Sequence, residues 1–274
     1  MSFKNKTVFI SGASRGIGKA IGLRLAREGA NIVVAAKSVQ ENPKLGGTIY
    51  SAAAEMEEAG GKALAVPCDI RSDEQVAEAV EKAVATFGGI DIVVNNASAI
   101  TLTPTEQTEP RRFDLMHDIN VRGTFFVTKA CIPYLKKASN AHILTLSPPI
   151  NLNPKWLSAH VAYTMSKYNM SMMALGWAGE LKKYRIASNA LWPKTTIDTA
   201  AVRNLLGGEA LAKMSRKPEI LADAAYYIFS KPSDQCTGNC FIDEAVFAAE
   251  GITDLDGYAV VPGSQLFHDI FVDD

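Results

Sequence analysis

The stretch Thr7-Val-Phe-Ile-Ser11-Gly12-Ala13-Ser14-Arg15-Gly16-Ile17-Gly18 decides how this chain reads. Thr7–Ser11 is an apolar run of buried-strand type, and the three glycines after it turn the chain into a helix over Ile17–Glu28 that Gly29 ends. Such a turn needs glycine where backbone N–H groups approach a phosphate without a Cβ in the way, and the helix N-terminus behind it favours negative charge. Three glycines alone are a weak signal. Between a first strand and a first helix they read as a dinucleotide cradle made of Ser11, Gly12, Ser14, Arg15, Gly16, Ile17 and Gly18. The competing reading is one turn glycine and two helix-packing glycines.

Outward from this stretch, strand and helix patterns alternate. Asn31–Ala36, Lys62–Val66, Ile90–Val94, Ala141–Leu146 and Ile186–Leu191 read as short strands. Thr48–Ala59 reads as a helix stopped at Gly60-Gly61, and Ser72 with Gln75 forms a capping-box pattern for the next one. The alternation predicts an α/β fold with a doubly wound, mostly parallel sheet of Rossmann type in a single domain. Polar Ser38–Gly47 looks like an extra loop, and residues 244–274 like an extension packed on that domain. The second strand ends Ala35-Ala36-Lys37-Ser38 with no carboxylate to hold ribose hydroxyls. Lys37 and Arg15 would instead meet a 2′-phosphate, which points to NADP(H); two solvated surface cations are the plainer alternative.

Asn95-Asn96-Ala97-Ser98, Asn120, Tyr163-x-x-x-Lys167 and Thr237-Gly238 with Ile242-Asp243 follow the glycine turn in order. Together they resemble the short-chain dehydrogenase/reductase family over nearly the whole chain. Pro43–Tyr50, Ser147–Pro154 and Ala190–Thr195 look closest to one branch, the hydroxysteroid dehydrogenase-like protein 2 group. Longer members of that group carry a sterol-carrier domain beyond the reductase region, and lipid-carrier activity is not expected of this stretch. The resemblance implies hydride exchange between a nicotinamide and a ketone or aldehyde, or the matching alcohol. It implies Tyr163, Lys167, Asn120 and a serine as catalytic residues, with Lys167 also on the nicotinamide ribose and Asn120 fixing a relay water. Asn96 and Asp69 would touch the cofactor, Asp69 at the adenine unless it is a helix-capping acid.

The residue types suit that chemistry. Charge left on a carbonyl oxygen calls for a proton donor beside it. A phenol of pKa about 10 is almost wholly protonated at neutrality. A lysine at contact distance favours the phenolate by about one to three units, and positions four apart share a helix face. The serine departs from the family pattern. Ser147 lies sixteen residues before Tyr163 and is followed by Pro148-Pro149, and proline offers no donor. Either Ser147 is displaced into the role, or another donor serves, Ser158 being a weaker substitute. Lys194 stands where the family has glycine beside the nicotinamide amide.

Ser98–Glu109, Ser147–His160 and the segment after Pro193 would close the pocket. Trp156, Leu157, Trp192, Leu205 and Leu206 in or near them suggest an apolar substrate body, unless they only pack the lid. Met170, Met172 and Met173 with Trp177 read as core or subunit interface, and the four histidines as structural or exposed.

Across 274 residues, 47% hydrophobic content supplies ample core, while a net charge of −1 gives no basic excess for nucleic acid or an anionic membrane. Cys68, Cys131, Cys236 and Cys240 complete no zinc set and read as reduced thiols. No stretch reads as a signal peptide or membrane span, and Phe271–Asp274 matches no targeting address, so the expected location is cytoplasmic. By resemblance, a homodimer or homotetramer would form on the helices around Val121–Lys137 and Ala162–Tyr184. Two other readings stay open: an NADP(H)-binding sensor or scaffold with weak or no turnover, and a lyase or isomerase on the same scaffold.

Overall fold

In the computed structural model, which describes residues 2–273, the chain runs β1 (Thr7–Ser11), α1 (Gly16–Ala26), β2 (Asn31–Ala36), α2 (Ile49–Glu58) and β3 (Lys62–Pro67). It continues through α3 (Asp73–Phe87), β4 (Ile92–Asn95), α4 (Pro110–Met116), α5 (Thr124–Leu135), β5 (Ala141–Leu146) and α6 (Pro154–Ser158). Then come α7 (Val161–Glu180), β6 (Ile186–Trp192), α8 (Gly208–Lys213), α9 (Glu219–Ser230), β7 (Cys240–Ile242) and α10 (Asp243–Ala249). Met1 and Asp274, the ends of the terminal stretches read above, lie outside the described residues.

The strands form one sheet in the order β3-β2-β1-β4-β5-β6-β7, and every pair is parallel. Burial on both faces explains why they read as continuous apolar runs instead of alternating ones. On one face Val8, Ile10 and Ile32 pack with Ile21, Leu25, Met56 and Phe229. On the other Phe9, Val33 and Val93 pack with Val76, Val127, Leu135 and Trp177. β1 pairs with β2 on one side and β4 on the other, so the winding reverses there. A crevice opens beyond the carboxyl ends of the strands at such a switch point.

Local differences from the sequence reading have physical causes. β4 starts at Ile92, two residues later than read; just before it the Asp91 carboxylate accepts from Lys6 Nζ at 2.8 Å and from the Thr7 N–H at 2.9 Å. Ser72 caps α3 by accepting from the Gln75 N–H, but the Gln75 side chain does not close the box; its Oε1 accepts from the Asp69 N–H at 2.8 Å. A reciprocal box forms instead at Thr48 and Ser51, heading α2. Asp69 is therefore not the capping acid.

After α10 the chain is irregular and returns to the carboxyl end of the sheet. There Phe271, with no exposed surface, joins Met116, Tyr163, Tyr168 and Trp192 in a third apolar cluster. Among the described residues no helix is long and apolar enough to cross a membrane.

Candidate active site

A cleft of about 600 Å³ runs over the switch point, lined by Gly12, Ser14, Arg15, Gly16, Ile17, Lys37, Asp69 and Asn96 among others. Gly12 shows why its position admits no side chain: its φ is +71°, and a Cβ there would lie 2.9 Å from the Ala97 Cα. Asn96 braces the turn from across the switch point, donating from Nδ2 to the carbonyls of Ser11 (3.0 Å) and Gly12 (2.9 Å). Gly18 packs against that brace, since a Cβ would sit 2.5 Å from Asn96 Nδ2. Ser11 and Gly18 therefore support the cradle without lining the cleft. The Ser11 hydroxyl is buried in the β1–β4 seam, donating to the Val94 carbonyl and accepting from the N–H groups of Asn96 and Ala97.

The loop between β2 and α2 folds back over the turn. Arg15 donates to the carbonyls of Gly46 (2.8 Å) and Gly47 (3.1 Å) and to Ser38 Oγ (2.9 Å), which holds its guanidinium beside the strand end that carries Lys37. Partial burial lowers the Arg15 pKa from its usual value, although the group stays cationic. Asp69 lines the cleft with its carboxylate engaged by Arg71 at 2.5 Å, an interaction that, with Lys37 nearby, holds it below the ordinary aspartate range.

The cleft continues, through Ile17, Asn96, Ser98, Ile100 and Thr199, into a second space of about 570 Å³. This cavity is lined by Tyr163, Lys167, Leu146 and Trp192, by Ile100, Leu102, Leu205 and Leu206, and by His268, Asp269 and Ile270. The four-residue spacing on α7 brings Tyr163 and Lys167 to one wall, as expected. Their expected electrostatic partnership takes a different form. Lys167 Nζ donates to the Leu146 carbonyl at 2.6 Å and lies 5.0 Å from the Trp192 ring centre. Burial drags its pKa down to about 7, with Asp269 opposing that shift. Burial and then the charge of Asp269 push the Tyr163 phenol up, so this arrangement keeps it protonated and does not depress it through Lys167.

Asn120 and Ser147 do not reach the cavity surface. Asn120 lies in a π-helical turn, His117–Gly123, where its Oδ1 accepts from the Ala99 N–H at 2.8 Å. Its Nδ2 donates to the Ala99 carbonyl and to Ser166 Oγ, each at 2.9 Å, so the side chain ties the loop after β4 to α7. Ser147 has no exposed surface, and its hydroxyl finds no hydrogen-bond partner among the described residues. The rigid Pro148-Pro149 turn runs onto α7 instead, with Ser171 Oγ donating to the Pro148 carbonyl at 2.5 Å. Ser158 ends α6, exposed and away from the cavity. Ser147–His160 therefore does not close the pocket; Trp156 and Leu157 pack against the third cluster. The segments after β4 and after Pro193 do line it.

The C-terminal tail fills the place expected of Ser147–His160, and nothing in the sequence reading singled it out. The Thr196 N–H donates to the Phe267 carbonyl (2.9 Å), the Asp269 N–H to the Lys194 carbonyl (3.0 Å), and Trp192 Nε1 to the Ile270 carbonyl (3.0 Å). The Lys194 ammonium donates to the Asp273 carbonyl at 2.8 Å, a tail contact in place of the family's glycine. Phe271 packs its ring against Tyr163 (centres 6.2 Å apart, 28° between planes), Tyr168 and His160. The apolar spacing of Phe267, Ile270 and Phe271 in an otherwise acidic tail is the signal that could have found it. Met170 is core, its Sδ 3.4 Å from Lys167 Nζ, whereas Met172 is exposed.

The short chain dehydrogenase family model matches residues 6–209. Hydroxysteroid dehydrogenase-like protein 2 of Xenopus tropicalis is 60% identical over 98% of this chain and 64% of its own length. The Homo sapiens protein of that name is 58% identical over 98% of this chain and 63% of its own length. The chain thus spans less than two thirds of the curated relatives it matches. A dehydrogenase crystal structure from Xanthomonas campestris is 52% identical with a TM-score of 0.97 over 100% of both chains. Two structures at 23% identity share the fold. A metagenomic short-chain oxidoreductase in complex with NADP has a TM-score of 0.73 over 88% of this chain and 98% of its own. A short chain dehydrogenase from Mycobacterium paratuberculosis bound to NAD has a TM-score of 0.74 over 88% and 97%. With its glycine cradle, its Tyr163–Lys167 wall and a family match over most of its length, this chain belongs to the short-chain dehydrogenase/reductase family of oxidoreductases.

Proposed function

We propose that this chain is an NADP(H)-dependent reductase that interconverts an apolar ketone or aldehyde and the matching alcohol. The observation carrying the reading is the continuity of the glycine-lined cleft with a cavity that bears Tyr163 and Lys167. A bound nicotinamide supplies the hydride in reduction and takes it in oxidation. The turn from Gly12 to Gly18 would hold the pyrophosphate, Arg15, Lys37 and Ser38 a 2′-phosphate, Asn96 and Asp69 the parts between, and Lys167 the nearer ribose. Tyr163, protonated through burial, gives its proton to the carbonyl oxygen as charge develops there. Lys167 on the same wall balances the phenolate left behind. Asn120 keeps the loop after β4 registered on α7, and Ser147 lies buried behind the wall. Trp192, Leu102, Leu205 and Leu206 favour an apolar substrate body.

Residues 1–274 are read as one reductase domain with 244–274 packed on it, working in the cytoplasm. Exposed Phe125, Met165, Met172 and Leu175 on α5 and α7 support a homodimer or homotetramer through those helices. NADPH consumption over a panel of ketones and aldehydes tests the reading: wild type turns over a member, and Tyr163→Phe does so at least 100-fold more slowly (general acids contribute about 100- to 10,000-fold). The burial of Ser147 favours a second reading, an NADP(H)-binding sensor, whose mark is tight NADPH binding with no turnover across the panel.

A further inference from the structure

We propose that Asp269, presented by the C-terminal tail, is the cavity's second hydrogen-bond donor and grips the reacting oxygen of the substrate beside Tyr163, in the role Ser147 does not reach. The inference rests on the reductase reading and names a further residue for it.

Geometry carries the argument. Asp269 shares the cavity lining with Tyr163 and Lys167, whereas the Ser147 hydroxyl is enclosed behind it. The tail cannot place this carboxyl casually. The Asp269 N–H donates to the Lys194 carbonyl, and Asp269 Oδ1 accepts from the Ile270 N–H at 2.7 Å. Two residues on, Phe271 is locked against the Tyr163 ring. Among the described residues Oδ2 takes no hydrogen bond, which leaves one oxygen of the carboxyl for a ligand.

The groups around it decide its charge. Tyr163 and Lys167 face it from α7, Asp243 lies at the head of α10, and His268 precedes it in the chain. Burial drives the Asp269 pKa up to about 7; the Ile270 N–H opposes, Asp243 adds to the rise, and Lys167 opposes it. Burial raises Asp243 itself, to about 6, against the N–H groups of Lys194 and Glu244 and the charge of Arg216. Below neutrality Asp269 is therefore mostly a neutral acid that donates through its hydroxyl and keeps its proton, and at neutrality about half of it is; the proton delivered to the substrate oxygen comes from Tyr163. Ionised, the same group repels that oxygen.

Two measurements test this. In the cofactor-free protein, carboxyl ¹³C NMR against pH, with the Asp269 signal assigned by its loss in Asp269→Asn, is expected to show a midpoint near 7; a midpoint near the ordinary aspartate value of 3.8 overturns the proposal. With NADPH present, hexanamide serves as an unreactive carbonyl probe. Its affinity in wild type falls by about 30-fold from pH 6 to pH 8.5, because only the protonated fraction competes for it. In Asp269→Asn, whose amide donates at every pH, affinity is retained and the pH dependence disappears; in Asp269→Ala it is weak throughout. No hexanamide binding at pH 6, or the wild-type pH dependence surviving in Asp269→Asn, overturns the proposal. NADPH binding is read separately by its fluorescence. Its absence brings down the reductase reading and this role with it, whereas intact NADPH binding with a failed hexanamide result brings down this role alone.

Discussion

Phe271→Ala is the perturbation that most exposes how the site is built. The ring has no exposed surface and packs among Trp156, His160, Tyr163, Tyr168 and Trp192 with centre distances from 5.3 to 6.2 Å. Truncating a buried phenylalanine costs about 3–5 kcal/mol. For a domain of this size that would lower Tm by about 6–20 °C if the tail stayed docked. The backbone bonds holding the tail each contribute only about 0.5–1.5 kcal/mol net. Losing the ring therefore outweighs any single polar contact that fixes residues 267–273, and the tail opens locally before the domain unfolds. The expected result is a Tm drop toward the lower end of that range, with loss of hydrogen-exchange protection at the Phe267 and Asp269 amides, which donate to the Met214 and Lys194 carbonyls. Trp156 and Trp192 fluorescence should shift to longer wavelength as their partner leaves. Phe271→Leu, which keeps much of the volume, should restore most of both. A Tm within about 1 °C of wild type together with unchanged protection would refute the view that this ring anchors the tail to Tyr163.

Other expectations follow from the same structure. Wild type should bind NADPH at least about 10-fold more tightly than NADH, since a charge-assisted hydrogen bond contributes about 1.5–3 kcal/mol, and Lys37→Asp should remove or reverse that ratio in a fluorescence titration. Gly12→Ala forces a Cβ to 2.9 Å from the Ala97 Cα at φ +71°, so calorimetry should show both a lower Tm and weaker NADPH binding, the backbone strain alone costing about 1–2 kcal/mol. Asp269 has a folded pKa of about 7 against an ordinary 3.8, so the folded protein holds more protons than the unfolded chain between those values. Its contribution to stability therefore falls as pH rises through that window. The Tm of Asp269→Asn relative to wild type should rise from pH 4 to pH 8, as measured by thermal unfolding.

The sheet and its cradle were legible because they are local and periodic. Ala141–Leu146 emerges as a strand with the expected bounds, and Thr7–Gly18 as strand, turn and helix, since burial on both faces leaves unbroken apolar runs and the turn demands glycine. Tyr163 and Lys167 stood out through their place in the order of motifs that carries the family resemblance, and helical spacing explains why they share a wall. Their electrostatics were not legible, because the partner of Lys167 is the Leu146 carbonyl, twenty-one residues away, and the charge acting on both is Asp269, about a hundred residues on. Ser147 was ambiguous in sequence for a physical reason: a following proline pair fixes the backbone direction without saying which way the preceding hydroxyl points. The tail was the least legible part. It has no period, and its role depends on one ring inserted among buried residues of three other elements, α4, α7 and β6.

The central claim is that Tyr163 delivers the proton while hydride passes from a nicotinamide held on the glycine cradle. Single-turnover transfer of deuterium from [4-²H]NADPH to a carbonyl substrate tests it most directly, with the product carbinol carbon analysed by mass spectrometry. Wild type should place the label on that carbon, and Tyr163→Phe should slow its appearance by about 100-fold or more while binding NADPH as before. Label transfer at an unchanged rate in Tyr163→Phe would contradict the account.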